Sequence, residues 1–286
     1  MTHCNHKTHR TDRKGGTLPE LPEVETTRRG IQPYVEHKQI RAITIRDRRL
    51  RWPVSDELTT LSMAQVHKLE RRAKYLILHL PKGYIIIHLG MSGSLRVVDA
   101  SAPVGKHDHI DLQMSDGKII RYNDPRRFGS VLWVDDWKTH PLFSKLGPEP
   151  LDSAFDAEYL HLQAKGKKTN IKQFIMDNKN VVGVGNIYAN EALFLSGIHP
   201  KRPASNISKK RIAQLVSHIK QTLATAITQG GTTLKDFVGG DGKPGYFQQQ
   251  LKVYGRGGQP CTQCDTTLKE VKLGQRSTVY CSKCQR

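Results

Sequence analysis

Pro19 and Glu20 open the stretch Pro-Glu-Leu-Pro-Glu-Val-Glu-Thr, whose residue types could carry covalent chemistry. If Pro19 were the first residue of the mature chain, its free secondary amine would be a nucleophile beside a carboxylic acid. Amines of this kind attack sugar aldehydes and form Schiff bases. The same residues also suit the start of a helix, with Pro22 in the first turn and acids at its positive end. We expect the helix whether or not the amine is free.

Four cysteines near the C-terminus have the spacing C-x2-C-x16-C-x2-C, namely Cys261, Cys264, Cys281 and Cys284. Two C-x2-C pairs suit a tetrahedral thiolate site for Zn²⁺. Disulfides are the alternative, but a basic chain without a secretory signal favours the metal. The spacing therefore predicts one structural zinc ion.

The segment between the two cysteine pairs alternates apolar and polar residues, which predicts a β-hairpin. Arg276 falls at or near the tip of this hairpin. So small a hairpin buries too little apolar surface to fold alone, and we expect the metal to hold it. Its purpose would then be to present Arg276 to a phosphate group.

Other basic and polar residues fall at expected strand ends and turns. Lys74 follows Arg71-Arg72-Ala73 and is expected to open a strand, where a solvated basic strand end would account for it. The run His107-Asp108-His109 could suggest a metal site. Against a metal, the two histidines alternate with Asp108 along a strand and so face away from it.

The stretch Asn178 to Tyr188 contains Gly183 and Gly185 and leads into an expected helix. Glycines in this position could cradle a phosphate group on the N–H groups of the helix N-terminus. They could equally do no more than permit the turn of a helix hairpin, and both interpretations stay open. No parallel βαβ pattern precedes them, which argues against a dinucleotide site.

The charge balance bounds the class of partner. Lysine and arginine number 45 against 26 aspartates and glutamates, a formal net charge of +19, of which residues 1–18 supply +3. Such a surplus predicts a polyanionic partner and salt-sensitive binding, although a ribosomal or merely very soluble protein would share it. There is no apolar run long enough to span a bilayer. We expect a cytoplasmic protein.

The elements that must position these residues fall into two kinds. Short strands between Ile40 and Val134, separated by Gly, Pro and Asp turns, predict an antiparallel sandwich behind a first helix that reaches about Gly30. From Ala154 the apolar period becomes helical. Helices are expected at 154–163, 172–178, 189–195, 209–229 and 233–237.

The fold class is α+β: a leader (1–18), an N-terminal antiparallel β-sandwich (19–148), a helical domain (149–240), and a glycine-rich loop with a Cys4 zinc finger (241–286).

The run Pro-Glu-Leu-Pro-Glu-Val-Glu-Thr-Thr-Arg-Arg-Gly-Ile resembles the N-terminus of the bacterial formamidopyrimidine-DNA glycosylases. The resemblance extends from Pro19 to Arg286. It implies an enzyme that removes oxidised purines such as 8-oxoguanine from double-stranded DNA and then nicks the strand. It also implies that Asn178 to Tyr188 form part of a helix-two-turn-helix.

The resemblance assigns roles to single residues. It makes Pro19 the nucleophile and Glu20 the acid that aids opening of the sugar ring. Lys74 and Arg276 would stabilise phosphates and assist as proton donors, although a guanidinium gives up its proton with difficulty. Segment 239–247 resembles a lesion-capping loop. The implied contacts to the DNA are His107, Lys167 and Asn186, and the implied wedge residues at the damaged base are Met91, Arg126 and Phe128.

Residues 1–18 depart from the family pattern. A polypeptide bonded to the Pro19 nitrogen would make it an amide without a nucleophilic lone pair. We hypothesise a misassigned start, because Leu18 can be encoded by UUG or CUG, which bacteria use for initiation. Lys14-Gly15-Gly16 can be encoded by a ribosome-binding sequence at a suitable distance. A disordered extension is the alternative.

Two other functions stay open. An endonuclease VIII-like glycosylase would act on oxidised pyrimidines, but Leu21 and segment 239–247 resemble the purine enzymes. A chain that keeps its leader would be a zinc protein that binds damaged DNA without cutting it. In each case we expect a monomer.

Overall fold

The computed structural model of the chain describes residues 19–231 and 250–286. The leader of residues 1–18, the helix expected at 233–237 and the glycine-rich segment 239–247 lie outside these ranges. What the sequence predicts for them stays a prediction.

The N-terminal part is a sandwich of two antiparallel sheets with one helix, α1 (Leu21–Val35), packed against it. Its strands are β1 (Gln39–Ile45), β2 (Ala64–Gln65), β3 (Lys68–Arg72), β4 (Tyr75–Leu80), β5 (Gly83–His88), β6 (Ser94–Asp99), β7 (Asp108–Met114), β8 (Lys118–Asn123) and β9 (Ser130–Val134). One sheet has the order β2-β1-β7-β8-β6 and the other the order β3-β4-β5-β9. The predicted antiparallel sandwich is confirmed.

The two sheets enclose one core because strands of both turn apolar side chains inward. Ile85 of one sheet and Ile110 of the other are buried in the same cluster as Val24 and Ile31 of α1. The helix is longer than predicted: it passes Gly30 and ends at Val35, since Ile31 and Val35 continue its buried face. This packing fixes the residues that precede α1.

Two strands were not predicted. β2 is two residues long, and β3 (Lys68-Leu69-Glu70-Arg71-Arg72) has a single buried apolar side chain, Leu69. Both lie at sheet edges, where polar composition is usual and the apolar alternation is weak.

Within the described residues, four α-helices follow the sandwich: α2 (Ala157–Ala164), α3 (Ile171–Met176), α4 (Asn186–Leu195) and α5 (Lys209–Thr228). Asp156, Asn170 and Ser208 cap α2, α3 and α5 by accepting a backbone N–H in the first turn. Ile175, Ile187 and Leu215 are fully buried in the core that the four helices share. None of the helices within the described ranges is both long and apolar enough to cross a membrane.

A hairpin of β10 (Lys269–Leu273) and β11 (Arg276–Tyr280) completes the described chain and confirms the predicted one. Its turn, Gly274-Gln275, has φ values of 51° and 62°, as a two-residue type I′ turn requires. The hairpin is docked on α4, because the Val279 N–H donates to Asn190 Oδ1 over 2.9 Å. The carboxylate of Glu191, also on α4, accepts the N–H groups of Val253 and Tyr254.

Candidate active site

The carboxylate of Glu20 joins the sandwich to the helical part. Glu20 immediately precedes α1, yet its Oε1 accepts the backbone N–H of Ile187 over 2.9 Å and its Oε2 accepts that of Tyr188 over 3.4 Å. Both donors lie in the first turn of α4, whose positive end favours a negative charge. The side chain is only 3% exposed. An acid beside Pro19 is therefore buried where the two parts meet.

The two glycines before α4 make room for this contact. A Cβ on Gly185 would lie 2.5 Å from Glu20 Oε2, and one on Gly183, whose φ is +79°, would lie 2.7 Å from the Cβ of Leu21. The stretch is the turn between α3 and α4, as the helix-hairpin interpretation expected, and it makes a further contact that neither interpretation foresaw. The helix N-terminus holds a carboxylate of the chain itself, and the glycines admit the start of α1.

Burial sets the protonation state of Glu20. It raises the pKa of this carboxyl to about 7, although the positive charge of Lys74 and the two backbone N–H groups lower it. Burial lowers the pKa of Lys74. The charge of Arg276 lowers this pKa further, whereas the interactions with Glu20 and Glu23 raise it. Glu20, Lys74 and Arg276, predicted from distant parts of the sequence, thus lie within electrostatic reach of one another.

Lys74 lies in the turn between β3 and β4, so the expectation that it opens a strand is wrong. Ala73 before it has a φ of +54°, a left-handed conformation that the sequence does not signal because no glycine is present. The Ala73 N–H donates to Glu149 Oε1 over 2.7 Å. Arg71 and Arg72 also pair with the Glu149 carboxylate, at 2.7 and 2.8 Å, and are not a solvated strand end. Glu149 therefore holds the turn that carries Lys74.

Arg276 is the first residue of β11, exposed directly after the hairpin turn, as predicted. The hairpin is fastened beside it by Lys172 of α3, whose Nζ donates to Ser277 O over 2.8 Å and to Thr278 Oγ1 over 2.7 Å. Burial lowers the pKa of Lys172 to about 7. Sequence analysis missed this lysine, because it occupies an ordinary polar position in a predicted helix.

An open pocket of about 550 Å³ adjoins these groups and is lined by Arg51, His88, Met91, Phe128, Gln275 and Arg276, among others. Met91, Phe128 and Arg276, which come from three distant parts of the sequence, are thus brought to one place. Arg126 lies with its guanidinium 5.0 Å from the centre of the Phe128 ring. Arg51 and Gln275 were not predicted, because neither belongs to a motif.

His88 faces this pocket as a neutral side chain. Burial lowers its pKa to about 4, and the charges of Lys74 and Arg51 add to this. Its Nδ1 accepts the N–H of Gly90 over 3.0 Å, which fixes the ring next to Met91.

The remaining predicted contacts lie outside the pocket lining. Asn186 is the first residue of α4, next to the N–H groups that hold Glu20. Lys167 is exposed in the connection between α2 and α3, and His107 is half-buried just before β7.

The run His107-Asp108-His109 is not arranged as a metal site. Asp108 accepts the N–H of Gly105 over 2.7 Å and pairs with Arg96 at 2.6 Å. His109 Nε2 lies 2.9 Å from the carbonyl oxygen of Asp124. These partners occupy both carboxylate oxygens of Asp108 and one ring nitrogen of His109.

The four predicted cysteines form one cluster, with all ligand atoms within 4.8 Å of one another. The Sγ distances are 3.9 Å for Cys261–Cys284, 3.5 Å for Cys264–Cys281 and 3.3 Å for Cys264–Cys284. Four thiolates at ~2.3 Å from a tetrahedral zinc ion would lie ~3.8 Å apart. The donor set and its spacing fit Zn²⁺, and disulfides do not account for four sulfurs in mutual contact.

Removing the metal is expected to disable Arg276. Chelation, or Cys281→Ser, should loosen the hairpin because its folding depends on the ion. If Arg276 contacts a phosphate group of DNA, as the sequence resemblance implies, loss of that charge-assisted contact should weaken DNA binding by roughly 10- to 150-fold. Metal content and DNA affinity, measured on the same sample, check this, with Ser282→Ala at an exposed neighbouring position as control. Unchanged affinity in a metal-free protein would contradict it.

Three family models match the chain in the order of its structural parts. They are the formamidopyrimidine-DNA glycosylase N-terminal domain at residues 18–131, the formamidopyrimidine-DNA glycosylase H2TH domain at 146–238, and the zinc finger found in FPG and IleRS at 258–286. The class follows from this succession: the chain is a DNA glycosylase with a zinc finger that holds one structural zinc ion.

Comparison with whole proteins narrows the class. The formamidopyrimidine-DNA glycosylase of Photobacterium profundum is 58% identical over 269 residues, which are 94% of this chain and the whole of the relative. That of Stutzerimonas stutzeri is 56% identical over 270 residues, with the same coverage. The chain belongs to the formamidopyrimidine-DNA glycosylase family, as the sequence resemblance predicted.

Solved structures show the same fold. The MutM (Fpg) protein from Thermus thermophilus superposes with a TM-score of 0.84 at 34% identity, covering 93% of this chain and 98% of its own. The Lactococcus lactis Fpg in complex with abasic-site DNA gives 0.86 at 31% identity, covering 94% and 100%.

Proposed function

We propose that this glycosylase excises oxidised purines, 8-oxoguanine and formamidopyrimidines, and then cleaves the strand at the resulting abasic site. The observation that carries the proposal is the buried Glu20 beside Pro19, with its pKa raised to about 7 and with Lys74 within electrostatic reach. A carboxyl with such a pKa can hold and release a proton near neutral pH. We further propose that the protein acts as a monomer on double-stranded DNA, in the cytoplasm with the nucleoid.

The covalent chemistry would use the nitrogen of Pro19. It needs a form of the protein in which nothing else is bonded to that nitrogen, so that the lone pair is free. The nitrogen attacks C1′ of the damaged nucleotide, and the bond from C1′ to the base breaks with its electron pair going to the base, which takes up the proton that the proline nitrogen releases. The neutral Glu20 carboxyl donates its proton to the sugar ring oxygen as the ring opens.

The product is an iminium ion. It stays positively charged, because its nitrogen carries no hydrogen that it could lose to become a neutral imine. The positive nitrogen withdraws electrons and acidifies C2′. Loss of a C2′ proton expels the 3′ phosphate, and a second elimination releases the 5′ phosphate. Lys74 and Arg276 would stabilise these phosphates. For Arg276 an electrostatic role is favoured, since a guanidinium keeps its proton.

Access to C1′ requires the damaged nucleotide to leave the helix. Met91 and Phe128, which line the pocket of about 550 Å³, and Arg126 beside the Phe128 ring would fill the space it vacates. Such wedges offset part of the unstacking free energy, which is a few kcal/mol. His107, Lys167 and Asn186 would contact the DNA backbone. The names of related structures support this: one is a MutM in complex with carbocyclic 8-oxo-G DNA, at 33% identity and a TM-score of 0.86.

Oxidised pyrimidines are the second candidate substrate. A Lactococcus lactis Fpg, 32% identical with a TM-score of 0.85, has been solved with DNA that contains an oxidised pyrimidine. The second candidate function is therefore a pocket that accepts both lesion classes.

Single-turnover excision from two matched duplexes tests the assignment. We expect release of 8-oxoguanine opposite cytosine to be at least ~10-fold faster than release of thymine glycol, a difference of about 1.4 kcal/mol in activation free energy. The undamaged duplex of the same sequence is the control. Faster release of thymine glycol would favour the pyrimidine enzyme, and tight binding with no release from either duplex would favour a non-catalytic binding protein.

A further inference from the structure

Two loops carry the three wedge residues. The methionine loop (residues 89–93) connects β5 to β6 and carries Met91. The arginine loop (residues 124–129) connects β8 to β9 and carries Arg126 and Phe128. Met91 and Phe128 line the same pocket, so both loops face the place where the DNA would lie.

One buried carboxylate joins the loops. Asp124 is fully buried, and its Oδ1 accepts the hydroxyl of Ser92, on the methionine loop, over 2.6 Å. Its Oδ2 accepts the N–H of Gly129 over 2.9 Å and the hydroxyl of Tyr122 over 3.2 Å. Ser92 completes the link, because its Oγ accepts the N–H of Arg126 over 3.1 Å.

The backbones of the two loops are also in contact. Gly90 has a φ of +66°, and a Cβ there would lie 2.7 Å from the carbonyl oxygen of Phe128. Only glycine allows this approach. Neither loop can therefore shift far without moving the other or breaking the bonds to Asp124.

We propose that Ser92 and Asp124 are positioning residues that couple the two loops into one preorganised wedge, on which extrusion of the damaged base depends. This inference rests on the proposed function. Neither side chain lines the pocket, and both act through Met91, Arg126 and Phe128. A wedge already held in shape loses less conformational freedom on entering the base stack than two independent loops would. The coupling should therefore matter most where a base must be unstacked.

Ser92→Ala tests the coupling with the smallest change. It removes both hydrogen bonds between the loops and leaves the bonds from Gly129 and Tyr122 to Asp124 in place. We expect excision of 8-oxoguanine to slow by roughly 5- to 10-fold, as for loss of about one net hydrogen bond. Cleavage of a preformed abasic site, where no base needs unstacking, should stay within about 2-fold of the parent. Asp124→Asn should change the ratio of the two rates further in the same direction.

Two variants control the experiment. Ser55→Ala removes another hydroxyl of the sandwich, one that accepts the N–H of Trp133 over 3.0 Å, and should change neither rate. Ser92→Thr keeps the hydroxyl and should restore excision. Equal slowing on both substrates, or no slowing on either, would overturn the coupling. A parent protein that begins at Pro19 and cleaves neither substrate would overturn the proposed function and the coupling with it.

Discussion

Borohydride will trap a covalent adduct between 8-oxoguanine DNA and a protein that begins at Pro19, and none with the intact 286-residue chain. The physical reason is the nitrogen of Pro19, which is a nucleophilic amine in the first protein and an amide in the second. Loss of a nucleophile can lower a reaction rate by ~10⁶-fold, so the contrast should be close to all or none. Gel separation of the trapped complex gives the yield, and mass spectrometry of both proteins verifies their first residues.

An adduct of equal yield with a verified intact chain would mean that a lysine supplies the amine. Lys172 would be the first to test, because its pKa of about 7 leaves much of it unprotonated near neutral pH. Lys172→Met and Lys74→Met, each in the intact chain, would then identify the residue.

Glu20→Gln is expected to reduce base excision by ~10²- to 10⁴-fold, the usual contribution of a general acid. The parent should lose activity as the pH rises through about 7, because the proton-donating form of Glu20 disappears there. The variant should lack this decline, since an amide does not titrate. Rates measured between about pH 5 and pH 9 check this, with Glu57→Gln as an exposed control. A variant with the parent's pH profile would assign the decline to another group.

The Glu20 carboxyl should also make the stability of the folded protein depend on pH, in a direction that its raised pKa determines. The folded-state pKa of Glu20, about 7, lies above its ordinary value of 4.5, so the folded protein binds this proton more tightly than the unfolded chain. Its contribution to stability is present below pH 4.5 and is lost as the pH rises through about 7. The melting temperature of Glu20→Gln should therefore depend less on pH across this window.

What could be predicted from the sequence depends on short-range patterns. Alternating apolar and polar residues located most strands of the sandwich, and the spacing of Cys261, Cys264, Cys281 and Cys284 predicted the zinc site. Each of these patterns is visible within a short stretch of sequence: every second residue in a strand, and four residues in each cysteine pair. Edge strands β2 and β3 were not predicted, because an edge strand does not need a buried apolar face. The positive φ of Ala73, which places Lys74 in a turn, could not be predicted, because the residue is not a glycine.

The missing features are contacts between distant residues. Nothing near Glu149 in the sequence shows that it holds the Lys74 turn, and nothing near Ser92 shows that it bonds to Asp124. The glycines before α4 illustrate the limit well. Their pattern suggested a phosphate or a turn, while their actual neighbours, Glu20 and Leu21, lie more than 160 positions earlier.

The carboxylate of Glu20, held at the start of α4, makes the sandwich and the helical part depend on each other. The residue belongs in sequence to the sandwich, but its carboxylate is held by the first turn of a helix of the other half, and burial where the two parts meet raises its pKa. A fragment that ended before Gly185 would still contain Pro19 and Glu20, yet its acid would be solvated and would ionise like any surface glutamate. On the proposed mechanism, neither half of the chain should cut DNA by itself, because the raised pKa of the proposed proton donor, Glu20, depends on burial where the two parts meet.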